Sequence, residues 1–104
     1  MNYESLLKMV GTSHDSAMLR YTLARHLAES GKLAEAQSQL ETAVDMNPGY
    51  AAAWKELGKV RNQAENPEGA AQAWQRGIEI SRENGDLQAA KEMTVFLKRL
   101  QRKS

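Results

Sequence analysis

Cysteine is absent from this chain of 104 residues. Its absence excludes disulfide bridges, a thiol nucleophile and thiolate metal ligands, and it suits a reducing compartment such as the cytoplasm. No apolar run approaches the roughly 18 residues that a membrane-spanning helix needs. Residues 1–10 also lack the long apolar core of a signal peptide. We therefore expect a cytoplasmic protein with no membrane contact.

An excess of one charge is also missing, since 14 Lys and Arg residues face 13 Asp and Glu residues and leave a formal charge of +1. This balance argues against a dedicated nucleic-acid or membrane-surface binder. Proline occurs only twice, at Pro48 and Pro67, and β-branched residues are sparse. Ala, Leu, Glu, Gln and Lys dominate instead, and these residues favour helices. The composition predicts an all-α domain.

Glycine and asparagine divide the chain into helical stretches. After a short apolar segment that ends at Gly11, we expect helices over about 15–29, 33–46, 50–64, 67–83 and 87–102. Short loops between helices of this length produce antiparallel hairpins. Each hairpin has an apolar face that it cannot bury alone, so hairpins are expected to stack on one another.

Residue classes recur thirty-four positions apart. Leu23 corresponds to Leu57, and Leu40 corresponds to Trp74. A period in this range is typical of stacked helical units, which bind other molecules on their surface.

The recurring residues resemble the tetratricopeptide repeat family. Its Trp-x2-Leu-Gly pattern stands here as Trp54, Leu57 and Gly58, and Ala70 is followed four residues later by Trp74. Three arginines depart from the family pattern, two where it usually has an aromatic residue and one where it has proline: Arg20, Arg61 and Arg82. The resemblance implies a right-handed stack of antiparallel helix hairpins, an α–α superhelix, with a C-terminal capping helix.

We expect a single domain over residues 1–104. It would consist of a leading half-unit (1–14), two repeats (17–50 and 51–84) and a capping helix (85–104). In the capping helix, five apolar residues are predicted to face inward: Leu87, Ala90, Met93, Leu97 and Leu100. Three cations, Lys91, Lys98 and Arg102, are predicted to face water.

In the resembled family, ligands lie in the concave surface formed by the first helix of each repeat. The resemblance carries this groove onto seven residues: Tyr21, Arg25, Ala28, Lys55, Lys59, Asn62 and Gln63. Such a groove would be basic and would suit an acidic extended peptide or a free carboxylate terminus. An ordinary solvated helix face is the alternative interpretation. The Lys and Asn pattern with which some members grip a C-terminal carboxylate is missing, because Tyr21, Arg25 and Glu56 occupy those positions.

Ser13, His14 and Asp15 invite a catalytic interpretation, but sequence neighbours do not form a triad, and Ser13 or Asp15 is better explained as a helix cap. His14 and His26 are the only imidazoles, too few for a metal site without further ligands. Glu41 and Asp45 share a helix face and are expected to be solvated surface charge. We therefore expect no enzyme activity, no metal and no cofactor.

The aromatic residues Trp54, Trp74 and Phe96 could form a binding box, but their spacing favours core positions. The C-terminal basic run is interpreted either as a tail for nucleic acid or an acidic partner, or as charge that complements a helix dipole. It consists of Lys98, Arg99, Arg102 and Lys103. The near-neutral chain favours the dipole interpretation.

The function expected from the sequence is a non-catalytic protein-interaction module that binds an acidic peptide or partner surface in the concave groove. A self-associating subunit that pairs through the open end at residues 1–10 is the alternative. Nucleic-acid binding through the basic run is less favoured.

Overall fold

The computed structural model describes residues 2–103, which form six α-helices and no strands. They are α1 (Tyr3–Leu7), α2 (Ala17–Glu29), α3 (Leu33–Met46), α4 (Ala51–Gln63), α5 (Pro67–Glu83) and α6 (Leu87–Arg102). The predicted all-α class is confirmed. Within this part of the chain, no helix has the length and apolar character required to cross a bilayer.

The start of α2 lies later than the sequence predicts. The side chain of Ser16, not that of Ser13 or Asp15, caps the helix by accepting the Leu19 N–H at 3.1 Å. Asp15 is engaged elsewhere, because its carboxylate accepts the Gly11 N–H at 2.9 Å and two hydrogen bonds from Arg20. The helix therefore begins at Ala17 and not near Asp15.

The turns between helices follow the expected chemistry. Asn66 and Asp86 cap α5 and α6 through side-chain oxygens that accept backbone N–H groups at 3.0 and 3.1 Å. Gly31 and Gly85 both have φ of +76°, a left-handed conformation that glycine adopts without steric penalty. These residues fix the tight reversals between neighbouring helices.

The helices form two antiparallel pairs, α2 with α3 and α4 with α5, and α6 packs along α5. Helix α2 contacts α4, and α4 contacts α6, whereas the backbones of α3 and α5 do not come into contact in the described part of the chain. The row α2–α4–α6 is therefore the more closely spaced side of a curved stack. We call the surface formed by these three helices the concave face.

At corresponding buried positions, the two helix pairs carry side chains of different size. In the first pair Ala24 and Leu40 are both fully buried in one cluster. In the second pair Gly58 and Trp74 occupy the equivalent positions. A Cβ atom on Gly58 would lie less than 3.0 Å from the Trp74 indole ring. The larger side chain thus requires the smaller partner.

Helix α6 covers an apolar surface of α5. Ala90 and Met93 are buried against Trp74, and Leu97 and Leu100 are partly buried, as predicted. The prediction for Leu87 is wrong, since its side chain is 67% exposed. Helical side chains lean towards the N-terminus. As the first residue of α6, Leu87 therefore projects over the preceding turn, away from the surface of α5.

Two of the arginines that depart from the family pattern cross-link helices. Arg20 donates to Gln39 of α3 at 3.1 Å in addition to its pair with Asp15. Arg61 of α4 donates to the Gly69 carbonyl at 3.1 Å and to Glu41 of α3 at 3.2 Å. The sequence had suggested that Glu41 is solvated surface charge. In the structure it also links α3 to α4 through Arg61.

The turn that joins the two helix pairs, residues 47–50, is braced by side chains. Trp54 Nε1 donates to the Pro48 carbonyl at 2.9 Å, and Asn84 Nδ2 donates to the Gly49 carbonyl at 3.1 Å. Asn47 Oδ1 accepts the Gly49 N–H at 3.2 Å. Because these hydrogen bonds satisfy the carbonyl groups of Pro48 and Gly49, they fix the path of the backbone through the turn.

Candidate binding groove

A cavity of about 520 Å³ lies on the concave face between α4 and α6. We call it the α4–α6 cavity. Its lining comes from α4, α5 and the second half of α6, and consists of Lys59, Asn62, Gln63, Trp74, Phe96, Arg99, Leu100, Arg102 and Lys103. The volume falls in the range of about 300–1,000 Å³ that is usual for ligand-binding clefts.

Three of the seven residues predicted for the groove meet in this cavity. Asn62 and Gln63 lie three and four residues after Lys59 in the last turns of α4, so the three side chains share one face of the helix. All three are exposed. Their amide and ammonium groups are therefore available to a ligand.

Lys55 lies one turn earlier on α4 and already has a partner. Its Nζ is 3.0 Å from Glu92 Oε1 of α6 and 5.9 Å from the centroid of the Phe96 ring. The pair links α4 to α6 across the concave face. Glu92 therefore screens the charge that the sequence analysis assigned to the groove at this position.

Tyr21 and Arg25 line a separate depression of about 200 Å³ on α2, together with Thr22, His26 and Glu29. The Arg25 guanidinium lies 5.8 Å from the centroid of the Tyr21 ring, within cation–π range. Tyr21 also packs against Tyr50 with ring centroids 5.3 Å apart, and burial is the main cause that raises the pKa of Tyr50.

Ala28 packs against the main core cluster and lines neither cavity. Of the seven predicted residues, three line the α4–α6 cavity, two line the depression on α2, and Lys55 and Ala28 line neither; their role in binding stays a prediction.

The contribution of α6 to the groove was not predicted from the sequence. Arg99, Arg102 and Lys103 of the basic run line the α4–α6 cavity, whereas Lys98 does not. Phe96 and Leu100 precede Arg99 and Lys103 by three residues, so all of them lie on one side of the helix. This spacing was the available signal, but the near-neutral total charge had favoured the dipole interpretation.

The electrostatics of the α4–α6 cavity are one-sided. Four cations line it and no Asp or Glu does. Within residues 2–103, no carboxylate lies within ion-pair distance of Arg99, Arg102 or Lys103. Lys59 has only Glu56, one turn away on its own helix, at 4.0 Å. The cavity is therefore a concentrated positive patch on a nearly neutral protein.

The carboxyl group with a strongly perturbed pKa lies outside this cavity. The hydrogen bonds from Arg20 hold the pKa of Asp15 well below its ordinary value. This shift belongs to the cross-link described above. In the described part of the chain, no three His, Asp or Glu side chains are grouped so that they could hold a metal ion.

Comparisons with known proteins agree with this architecture. The chain is 42% identical to the TPR repeat-containing protein PA0015 of Pseudomonas aeruginosa over 102 aligned residues. The alignment covers 98% of this chain and 97% of that protein. The solution structure of protein BPP2914 from Bordetella parapertussis superposes with a TM-score of 0.85 at 38% identity, over 99% of this chain and 90% of that one.

A shorter similarity links the chain to the peroxisomal targeting signal receptor of Pichia angusta. The two are 40% identical over 65 residues, which span 62% of this chain and 11% of the receptor. The family model for the tetratricopeptide repeat matches residues 21–86, which include α3, α4 and α5 in full and α2 from Tyr21 onwards. The chain therefore belongs to the tetratricopeptide repeat family.

Proposed function

We propose that this protein is an interaction module that binds an acidic, extended peptide segment of a partner on its concave face. Members of the family generally serve as non-catalytic protein-interaction modules. The similar protein of Pichia angusta is named as the receptor of a peroxisomal targeting signal, and the chain spans 11% of its length. The observation that carries the proposal is the cation-lined α4–α6 cavity.

The chemistry of the lining suits such a ligand. Arginine guanidinium groups present planar forks that bind carboxylates with two parallel hydrogen bonds. The side-chain amides of Asn62 and Gln63 can donate to and accept from the backbone of an extended peptide. A peptide that leaves the cavity along the concave face would reach Lys55 on α4 and then Arg25 and Tyr21 on α2.

Lys55 would take part by exchanging its partner. The side chain of Lys55 is 28% exposed, and its present partner is the Glu92 side chain, which is 41% exposed. Exposed pairs of this kind are worth about 0.2–1 kcal/mol. An acidic side chain of the ligand could therefore compete with Glu92 at little energetic cost.

Selection from a random peptide display library on the immobilised protein tests the proposal. Recovered peptides should be enriched in Asp and Glu, and a selected peptide should bind the double variant Lys59→Glu, Arg25→Glu more weakly in titration calorimetry. Lys91→Glu is the matched control, because Lys91 is exposed on α6 and lies outside both cavities. Recovery of peptides with no acidic preference, or a dissociation constant unchanged by the double variant, would refute acidic-peptide binding.

Self-association is a second candidate that one observation favours. At the N-terminal end of the stack, Leu7 and Met18 leave 44% and 67% of their surface exposed. Exposed apolar side chains can mark a contact with a second copy. Light scattering that shows only monomers at high protein concentration would exclude this candidate.

A further inference from the structure

Building on the proposed function, we infer that the α4–α6 cavity is the anchor point of the groove. It takes one bulky apolar side chain of the partner peptide together with the carboxylates next to it. Helix α6 is then a specificity-determining wall of the binding site and not only the end cap that its sequence position suggests.

The apolar part of the site is rigid. Trp74 is 3% exposed, and its indole Nε1 donates to the Lys55 carbonyl at 3.1 Å, which fixes the plane of the ring. The Phe96 ring packs against it with centroids 5.4 Å apart and an angle of 49°. With the partly buried Leu100, these side chains form an apolar floor inside a cavity that is otherwise polar.

The charged part of the site surrounds this floor. Lys59 stands on the α4 side, and Arg99, Arg102 and Lys103 stand on the α6 side. The three α6 cations are exposed, and within residues 2–103 no carboxylate neutralises them. A floor of aromatic and aliphatic carbon framed by cations is complementary to an apolar side chain flanked by carboxylates.

The apolar floor and the cations around it together make the site selective for one kind of peptide. An acidic segment without an apolar residue would gain the charge contacts and leave the floor exposed to water. An apolar segment without acidic residues would fill the cavity and offer no carboxylate to the three α6 cations, which have none nearby within residues 2–103. The inferred partner therefore carries both chemistries within one short stretch.

Matched peptide probes test the anchor on the unmodified protein. One fluorescein-labelled peptide carries a single phenylalanine flanked on each side by glutamates, and the second differs only in having alanine at that position. Burial of a phenylalanine side chain predicts that the alanine probe binds at least about tenfold more weakly in fluorescence anisotropy. Changing the probe leaves the protein fold untouched.

Two neighbouring cations provide a matched pair of protein variants. Arg99 lines the cavity, whereas Lys98 is exposed on the same helix and does not line it. We expect Arg99→Glu to weaken binding of the phenylalanine probe about tenfold and Lys98→Glu to change it by about twofold or less, because Lys98 does not line the cavity and an exposed charge without a direct contact contributes little.

The two tryptophans report the location of binding independently of affinity. Trp74 lines the cavity and Trp54 does not. In ¹H–¹⁵N spectra the phenylalanine probe should shift the indole signal of Trp74 and leave that of Trp54 in place. The variant Trp54→Phe assigns the two signals.

Each contrary result has a defined meaning. Equal affinity for the two probes would overturn the apolar anchor while acidic-peptide binding stands. If Arg99→Glu and Lys98→Glu weaken binding equally, the direct contact between Arg99 and the peptide is refuted, and the peptide is attracted only by the overall charge of α6. Displacement of the probe by polyuridylate with the same Trp74 shift would assign the cavity to nucleic acid. If neither probe binds although display selection recovers acidic peptides, the anchor alone is wrong.

Discussion

Replacement of Gly58 by alanine is the sharpest test of how the second helix pair is packed. The added methyl group would lie less than 3.0 Å from several atoms of the Trp74 ring. That ring is buried and held by a hydrogen bond to the backbone of α4, so it cannot turn away towards the α4–α6 cavity without breaking this bond. Gly58→Ala therefore forces the two helices apart or breaks the hydrogen bond.

The magnitude follows from opposing contributions to the free energy of unfolding. Alanine in the middle of a helix stabilises by about 0.5–1 kcal/mol relative to glycine. Overpacking costs about 1–3 kcal/mol, and loss of the indole hydrogen bond adds about 0.5–1.5 kcal/mol. We expect a net destabilisation of about 2 kcal/mol, or a decrease in Tm of about 8–16 °C for a domain of this size.

Urea unfolding followed by circular dichroism measures the effect, and a second substitution identifies its cause. Gly58→Ala combined with Trp74→Leu recreates the residue pair found at Ala24 and Leu40. The double variant should cost at least about 1 kcal/mol less than the sum of the single variants.

Gly77→Ala is the control for helix propensity. Its added methyl group would meet mainly the thioether of Met93, a flexible side chain, so we expect a stability within about 1 kcal/mol of the wild type. A Gly58→Ala variant that is as stable as the wild type, or single effects that simply add, would refute the packing argument.

Two further predictions concern charged groups. Arg20 lowers the pKa of Asp15 below the ordinary value of 3.8, so the pair stabilises the fold fully above that pH and loses its effect as the pH falls towards the lowered pKa. Asp15→Asn should therefore lower Tm at pH 7, and the difference from the wild type should shrink in acid; a difference that does not vary with pH would contradict this. Glu92→Gln frees Lys55 and should tighten binding of an acidic peptide about two- to fivefold while changing stability by less than about 1 kcal/mol. Glu79→Gln on α5 is its control, and an equal gain there would contradict a role of Lys55.

The helices and the core of the paired units could be predicted from the sequence, because local signals and the repeat agree. The correspondence of Leu23 with Leu57 identifies one buried face twice, and Asn66 followed by Pro67 marks the start of α5 by capping chemistry alone. In these segments, the preference of each residue and the packing of the whole point to the same structure.

The candidate site was only half predictable. Lys59, Asn62 and Gln63 could be found from the repeat, but Arg99 lies thirty-four residues after Glu65, which follows the end of α4, so no groove position of the repeat corresponds to it. The apolar pattern of α6 predicted its inward face, but it did not show that Arg99 would line one cavity with Lys59 of α4, because this depends on how α6 packs on Trp74 and Gly77. The pairing of Lys55 with Glu92, thirty-seven positions away, was hidden for the same reason.

Because the turn at residues 47–50 is held by side chains, we expect the partner segment, and not this protein, to become ordered on binding. Side chains from α4 and from the end of α5 hold the carbonyl groups of the turn, so the two helix pairs keep one mutual orientation before any ligand arrives. The loss of conformational entropy on association then falls mainly on the partner segment. A cyclised or proline-stiffened ligand that is already extended should consequently bind more tightly than a flexible ligand that makes the same contacts.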